Sequence, residues 1–236
     1  MKTVALVSGG IDSPVALYLT VRKGHDVVAV HMDNRPFSDE YAGAAARDAV
    51  EQVARITATD LKYITVAHGH AQRGIMDKCR ANLQCVLCKR FMLRAAERVA
   101  ISEGADVIIM GDSLGQVASQ TLANIRVIES AVKMPVVRPL IGMDKIDIIE
   151  IARKIGTYEI STAHKGICRA VPDKPATCAD ISSVIEEEKK PDLTKMLNTA
   201  LSSTRVEYIR SSAEANGKVP EPDNVSRAVS NQGDGI

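Results

Sequence analysis

The stretch VALVSGGIDSPVALYL, residues 4–19, decides the fold. Val4 to Val7 read as a short strand buried on both faces, and an apolar helical pattern starts after Ser13. Between them lies Ser8-Gly9-Gly10-Ile11-Asp12-Ser13. Without a Cβ at Gly9 or Gly10 the backbone can turn sharply, so that successive N–H groups converge on an anion. Ser13 stands at the helix start, where the dipole and the unpaired N–H groups favour phosphate. The spacing is neither the Gly-x-Gly-x-x-Gly of dinucleotide folds nor the Gly-Lys-Ser/Thr of a Walker loop. A plainer reading is a Gly-Gly turn with Ser13 or Asp12 as a simple helix cap, and the strand–turn–helix context argues against it.

Outward from this loop, short β-branched runs alternate with longer helical patterns. Strands are expected at residues 3–7, 26–32, 62–67, 106–110 and 135–140, and helices at 13–23, 39–59, 86–103 and 145–155. The runs VALV, VVAV and VIIM are apolar throughout, as in a parallel sheet covered on both faces. The expected fold is therefore α/β, a doubly wound parallel sheet with ligands at the carboxyl ends of its strands. After Cys168 the pattern changes. RAVPDKPATCAD, residues 169–180, reads as an ordered connector, and 182–210 as one or two helices interrupted near Pro191. The EEEKK run there reads as a solvated helix face. This divides the chain into a nucleotide-type domain at 1–180, a helical C-terminal extension at 181–212 and a flexible tail at 213–236.

The composition is that of an ordinary globular protein. Of 236 residues, 45% are hydrophobic and 25% charged, and 30 basic against 29 acidic side chains leave a formal net charge of +1. That balance excludes a histone-like polycation. With no Trp, two Phe and five Tyr, a base-stacking single-strand binder is excluded as well. No apolar run is long enough to span a membrane, and the N-terminus lacks a signal-cleavage pattern, so a cytoplasmic protein without membrane association is expected. The five cysteines, Cys79, Cys85, Cys88, Cys168 and Cys178, are odd in number, which suits metal or redox chemistry better than a disulfide framework.

Further segments narrow the reading. They are CVLCKRFMLRAAERVA (85–100), MGDSLGQVASQTLANIRVIE (110–129) and RPLIGMDKIDIIEIARKIGTYEIS (138–161). The SGGIDS loop itself resembles the pyrophosphate-binding loop of the PP-loop ATPases, which cleave ATP to AMP and pyrophosphate. With these segments in this order, the chain from about 1 to 209 resembles the PP-loop domain of the tRNA 4-thiouridine synthases, the ThiI family. The resemblance implies ATP held by Leu6, Val7, His31, Met32, Lys89, Gly111 and Gln120, together with Ser8, Gly9, Gly10, Asp12 and Ser13 of the loop. The residues themselves agree in part. His31 alone reads as a structural histidine, but with Met32 it follows a strand at the edge where base and ribose should lie. Gly111 allows close approach of a ligand, and Lys89 can balance phosphate charge. Asp112 suits Mg²⁺, a ribose hydroxyl or a helix cap. Arg90 and Arg94, one helical turn apart, suit phosphate, RNA or solvent.

The resemblance also assigns the thiols. Cys168 takes the place of the family's catalytic cysteine. Cys85 and Cys88 form a Cys-x-x-Cys pair that, with the later cysteine, is associated with an iron–sulfur cluster in archaeal members lacking a rhodanese domain. Read from the residues alone, Cys85 and Cys88 are a zinc half-site completed by Cys79, Cys178 or His164, a redox dithiol, or two buried thiols. Family members also carry an N-terminal ferredoxin-like segment and a THUMP domain that grips tRNA, and neither is visible in this sequence. The expected function is ATP-dependent thiolation of tRNA uridine, with Asp12, Cys85, Cys88 and Cys168 catalytic, ATP and Mg²⁺ as cofactors, and tRNA gripped through a THUMP-type partner or self-association. Local cations for that grip are Lys89, Arg90, Arg94, Lys165 and Arg169, and a homodimer is expected through the helical extension. The rivals are thiolation of a small molecule, as in thiamine-thiazole chemistry, and a non-catalytic subunit holding nucleotide or cluster.

Overall fold

Period-two alternation divides the apolar side chains of each strand between two helix layers. In the computed structural model, which describes residues 1–39, 41–163 and 168–211, the strands β1 (Lys2–Leu6), β2 (Asp26–Asp33), β3 (Leu61–Ala67), β4 (Val107–Ile109), β5 (Val136–Val137) and β6 (Arg205–Ile209) form one sheet. His164, Lys165 and the tail expected at 213–236 lie outside the described residues. Val4, Leu6, Val28, Val30, Ile64, Val66 and Ile108 face one core, shared with α3 (Gly69–Lys78), α4 (Gln84–Glu103), α5 (Leu122–Glu129), α8 (Ile181–Glu188) and α9 (Leu193–Ser202). Ala5, Val7, Val27, Ala29, Tyr63, Val107 and Ile109 face the other, shared with α1 (Asp12–Arg22), α2 (Tyr41–Thr57) and α6 (Lys145–Lys154). A short α7 (Tyr158–Thr162) lies against α2 and α6.

The strand order is β5-β4-β1-β2-β3-β6, parallel except for β6. The chain winds outward from β1 through β2 and β3, then returns to place β4 on the other side of β1. The crevice beyond the carboxyl ends of β1 and β4 is thus the topological switch point. The packing there is tight. A Cβ on Gly111, two residues after β4, would stand 2.7 Å from Ser13 Cα and 2.8 Å from Ser13 N. The start of α1 fills the space where a Cβ would stand, and Gly111 itself still borders the cavity at this sheet edge. On the far side of the loop, a Cβ on Gly9 would meet Ala45 Cβ at 3.0 Å and the Ala42 carbonyl at 3.1 Å. Backbone packing on both sides fixes the loop.

The chain beyond Cys168 departs from expectation in two ways. Residues 205–209 are not helical but an antiparallel edge strand on β3, running Leu61↔Ile209 to Thr65↔Arg205. RVEYI is rich in β-formers, and burial of Ile209 alone leaves no apolar period to read. The break at Pro191 between α8 and α9 is where the proline suggested, but only Glu186, Lys189 and Lys190 of the EEEKK run face solvent, while Glu187 and Glu188 turn inward. Glu187 is buried and pairs with Arg80 (3.0 Å) and Lys190 (2.7 Å). Glu188 receives both guanidinium groups of the 85–100 segment: Arg90 at 2.8 and 3.0 Å, Arg94 at 2.6 and 2.8 Å. Arg90, only 2% exposed, also donates to Ser130 Oγ at 2.8 Å and to the Val127 carbonyl. Arg90 and Arg94 are therefore structural, and neither is free to contact phosphate or RNA. The strand expected at 135–140 shrinks to Val136–Val137, and α3, α5 and α7 are additions to the sequence reading.

Two outcomes test this packing. Burial pushes the Glu188 carboxyl up, but Arg94 and Arg90 outweigh it and hold it below the usual carboxylate range. A carboxyl held low in the folded state adds stability above its unfolded pKa and loses it as pH falls through the lowered value. Glu188→Gln leaves the Arg90 guanidinium without its charge partner and should cost about 3–5 kcal/mol at neutral pH by urea unfolding. The penalty should shrink on acidification. Gly111→Ala should lower stability by about 1–3 kcal/mol, the range for overpacking, and weaken nucleotide binding in calorimetry by shifting the first turn of α1.

Candidate active site

The loop between β1 and α1 is organised by its two serines. The Ser8 N–H donates to Ser13 Oγ at 2.8 Å, and the two hydroxyls lie 3.0 Å apart. Gly10 N–H reaches Ser8 Oγ at 3.3 Å, which curls the loop over the start of the helix. No side chain caps α1. The orphan N–H groups of its first turn are therefore free of side-chain caps, as an anion site requires.

Two adjoining cavities open at this sheet edge. The smaller, about 330 Å³, is lined by Leu6, Val7, Ser8, Gly10, Asp12, Ser13, His31, Met32, Lys89, Gly111 and Gln120, so every residue of the sequence-derived nucleotide set except Gly9 meets there. Gly9 borders the larger cavity, about 740 Å³, which also holds Cys85, Cys88 and Cys168. Ser8, Gly10, His31, Met32, Lys89 and Met92 border both. His31 is buried and its Nδ1 lies 3.0 Å from the Val7 carbonyl, to which it donates. Burial lowers its pKa and keeps the ring neutral, so His31 ties β2 to the end of β1.

Charge at the wall between the cavities is already paired. Lys89 Nζ lies 2.7 Å from Asp112, which also accepts from Gln120 at 3.2 Å and from Arg138 at 3.3 Å. Burial would raise the Asp112 carboxyl, but Lys89, Gln120 and Arg138 hold it below its ordinary value. Asp112 is a hub that positions Lys89 rather than a helix cap. Asp12 pairs with Lys145, the first residue of α6. The sequence reading passed over Lys145. A lysine in the first turn of a helix opposes the dipole, and that misplacement was the available signal.

The thiols occupy distinct environments. All five are free. Burial pushes Cys88 up to about 12, reinforced by Cys168 and Cys85 and opposed by Lys89, while Cys85 is raised by the same causes. The Cys88 sulfur lies 3.1 Å from His68 Nε2, and burial drives the His68 pKa down to about 4. The Cys168 sulfur accepts from Asn34 Nδ2 at 3.5 Å. Cys79 is buried behind α4, pushed up to about 11, and Cys178 is exposed on another face. Among the described residues no three of His, Cys, Asp and Glu stand close enough to share one metal ion. A single zinc gathers four ligands around one point, whereas a cluster spreads its thiolates over several irons. The three thiols of one cavity fit the cluster in kind. Asn34, His68 and Gln72, which also line this cavity, were not singled out from the sequence, because their polar roles depend on partners far along the chain.

Comparison with known proteins now places the chain. The family described as Thiamine biosynthesis protein (ThiI) matches residues 1–193. A probable tRNA sulfurtransferase of Methanosarcina mazei is 41% identical over 207 residues, covering 87% of this chain and 51% of the relative. Another, from Methanothermobacter thermautotrophicus, is 46% identical over 190 residues, covering 80% and 49%. A solved 4-thiouridine synthetase–RNA complex with bound ATP superposes with a TM-score of 0.83 at 35% identity, covering 89% of this chain and 55% of that one. The chain thus spans about half the length of the curated relatives it matches. The family model covers most of the chain and the fold superposes on that of a 4-thiouridine synthetase, so the chain belongs to the ThiI family.

Proposed function

We propose that this chain is the nucleotide-binding and sulfur-transferring domain of an ATP-dependent tRNA sulfurtransferase. The observation that carries the reading is the shared wall: an anion-binding loop on one side, three thiols on the other, and Lys89 bordering both cavities. The names of the relatives, tRNA sulfurtransferase and 4-thiouridine synthetase, support the choice of RNA as acceptor.

In the proposed reaction the uridine O4 oxygen attacks the α-phosphorus of ATP. The bond to the bridging oxygen breaks and pyrophosphate leaves. Hydrosulfide held beside Cys168 then adds to C4, the C4–O4 bond breaks, AMP departs with the oxygen, and the sulfur proton passes to the ring nitrogen that lost its own on adenylation, leaving C4=S. Loop N–H groups, Lys89 and Lys145 face the charge that develops on the phosphates. Asp12, a carboxylate beside the phosphate loop, is the residue that would hold Mg²⁺, which would neutralise phosphate charge there. Cys85, Cys88 and Cys168 would hold an iron–sulfur cluster, which supplies an open iron position where exogenous sulfide can sit. Leu6, Val7, His31, Met32, Gly111 and Gln120 would enclose the nucleotide.

Gripping RNA calls for help from outside this surface. The net charge is +1, Arg90 and Arg94 are bound to Glu188, and the two lysines that border the larger cavity, Lys89 and Lys145, are paired with Asp112 and Asp12. A THUMP-type partner or a second copy of the chain, in a homodimer, would supply the rest. No helix among the described residues is long and apolar enough to cross a membrane.

Asp12→Ala should abolish ATP-dependent pyrophosphate release with the fold intact by circular dichroism; full activity in that variant removes the loop assignment. Cys168→Ala should abolish 4-thiouridine, read by nucleoside mass spectrometry, while pyrophosphate release persists. Loss of both together would place Cys168 in activation rather than in transfer. Binding of tRNA by the isolated chain should weaken steeply between low and physiological salt, and a THUMP-domain protein should restore it.

A further inference from the structure

Three residues lining the larger cavity each keep a buried polar atom without a hydrogen-bond partner: Asn34 Oδ1, His68 Nδ1 and Gln72 Oε1. Gln72 is 2% exposed. It interacts with His68, yet neither atom completes a hydrogen bond with good geometry. Native proteins rarely leave such atoms unpaired, and a polar cavity beside them points to a ligand that pairs them.

Asn34 is the informative member. Its Nδ2 donates to Cys168 Sγ at 3.5 Å, while Oδ1 of the same carboxamide is left open. The backbone fixes this arrangement from both sides. The Asn34 carbonyl accepts from Phe37 N–H at 2.8 Å and from Ser38 N–H at 3.3 Å, and Arg169 N–H donates to the Phe37 carbonyl at 2.8 Å. Phe37 is buried, with the Arg73 guanidinium 4.7 Å over its ring. The turn that carries Asn34 is therefore tied directly to the residue after Cys168.

We propose that Asn34 and Gln72 are the residues that select the acceptor base in the larger cavity, by reading its imide edge, carbonyl–N–H–carbonyl. Asn34 Oδ1 accepts the ring N–H. The Gln72 carboxamide, whose two ends exchange on a flip of the amide plane, donates to the carbonyl on the side away from the nucleotide loop. The other carbonyl is left facing the α-phosphate position. One carboxamide then holds both the sulfur and the ring nitrogen, so the carbon bonded to that nitrogen lies beside Cys168 Sγ. Met32 and Met92 offer apolar surface to the faces of the ring. Cytosine carries a lone pair where uracil carries the N–H, and it would leave Asn34 Oδ1 unpaired; a site built around such a bond rejects the analogue that lacks it. The subsite rests on the sulfurtransferase reading above.

The test reads protection of Cys168. With the chain saturated by a non-hydrolysable ATP analogue, iodoacetamide labelling of Cys168 is followed by peptide mass spectrometry with uridine, 3-methyluridine or cytidine present. Uridine should slow labelling several-fold, and the other two should leave it unchanged. Asn34→Ala and Gln72→Leu should lose the uridine effect while binding the ATP analogue with unaltered affinity in calorimetry, which also shows that they fold. Equal protection by 3-methyluridine or cytidine, or full protection in Asn34→Ala, overturns the subsite. Pyrophosphate release with tRNA and its THUMP-type partner, measured on the same preparation, separates the two levels. Release without uridine protection keeps the sulfurtransferase reading and loses the subsite, and absence of both loses both.

Discussion

Beside Gly111 there is no room for one more carbon, because the first turn of α1 already lies against it. Close approach of the β4 turn to Ser13, together with packing of Gly9 on α2, holds the glycine loop in the switch-point crevice. The rest of the site inherits its geometry from that contact. The hydroxyls of Ser8 and Ser13 can meet only because the loop is curled this tightly, and the uncapped first turn of α1 keeps its N–H groups for a ligand. An anion site made of backbone depends on such rigidity, since a side chain could swing away and a fixed amide cannot.

Helix α4 transmits this order to the thiols. Cys85, Cys88, Lys89 and Met92 fall on one face at spacings of three, four and seven and line the larger cavity. Arg90 and Arg94, rotated from that face, run into Glu188. The extension after Cys168 is therefore part of the scaffold of the candidate site: α8 holds the back of the helix whose front carries the thiols. Asp112 does the same for Lys89, stationing a cation between the two cavities. Both anchors are buried ion pairs, whose main virtue is that they fix geometry.

The legible part of the sequence was the part written in local pattern. Val4–Val7, the glycines and the α1 stripe gave the loop, and the strand–helix alternation gave the doubly wound sheet. Nucleotide residues came through a family resemblance and met in one cavity, save Gly9. What escaped depends on long-range pairing. Nothing near Arg90 announces Glu188, which is 98 residues away along the chain. Asn34 reads as an ordinary turn residue, and its bond to Cys168 spans 134 residues. The edge strand β6 buries only Ile209, so it has no alternation to detect, and α3, GHAQRGIMDK, lacks a clear apolar stripe.

The central claim is a division of labour, with nucleotide in the smaller cavity and acceptor with sulfur in the larger. A crystal structure of the chain with a non-hydrolysable ATP analogue tests it most directly. Phosphates are expected on the N–H groups of the Ser8–Ser13 loop, adenine beside His31 and Met32, Lys89 turned from Asp112 to a phosphate oxygen, and the space before Cys168 still open. Nucleotide density filling the thiol-lined cavity, with the loop unliganded, would contradict it.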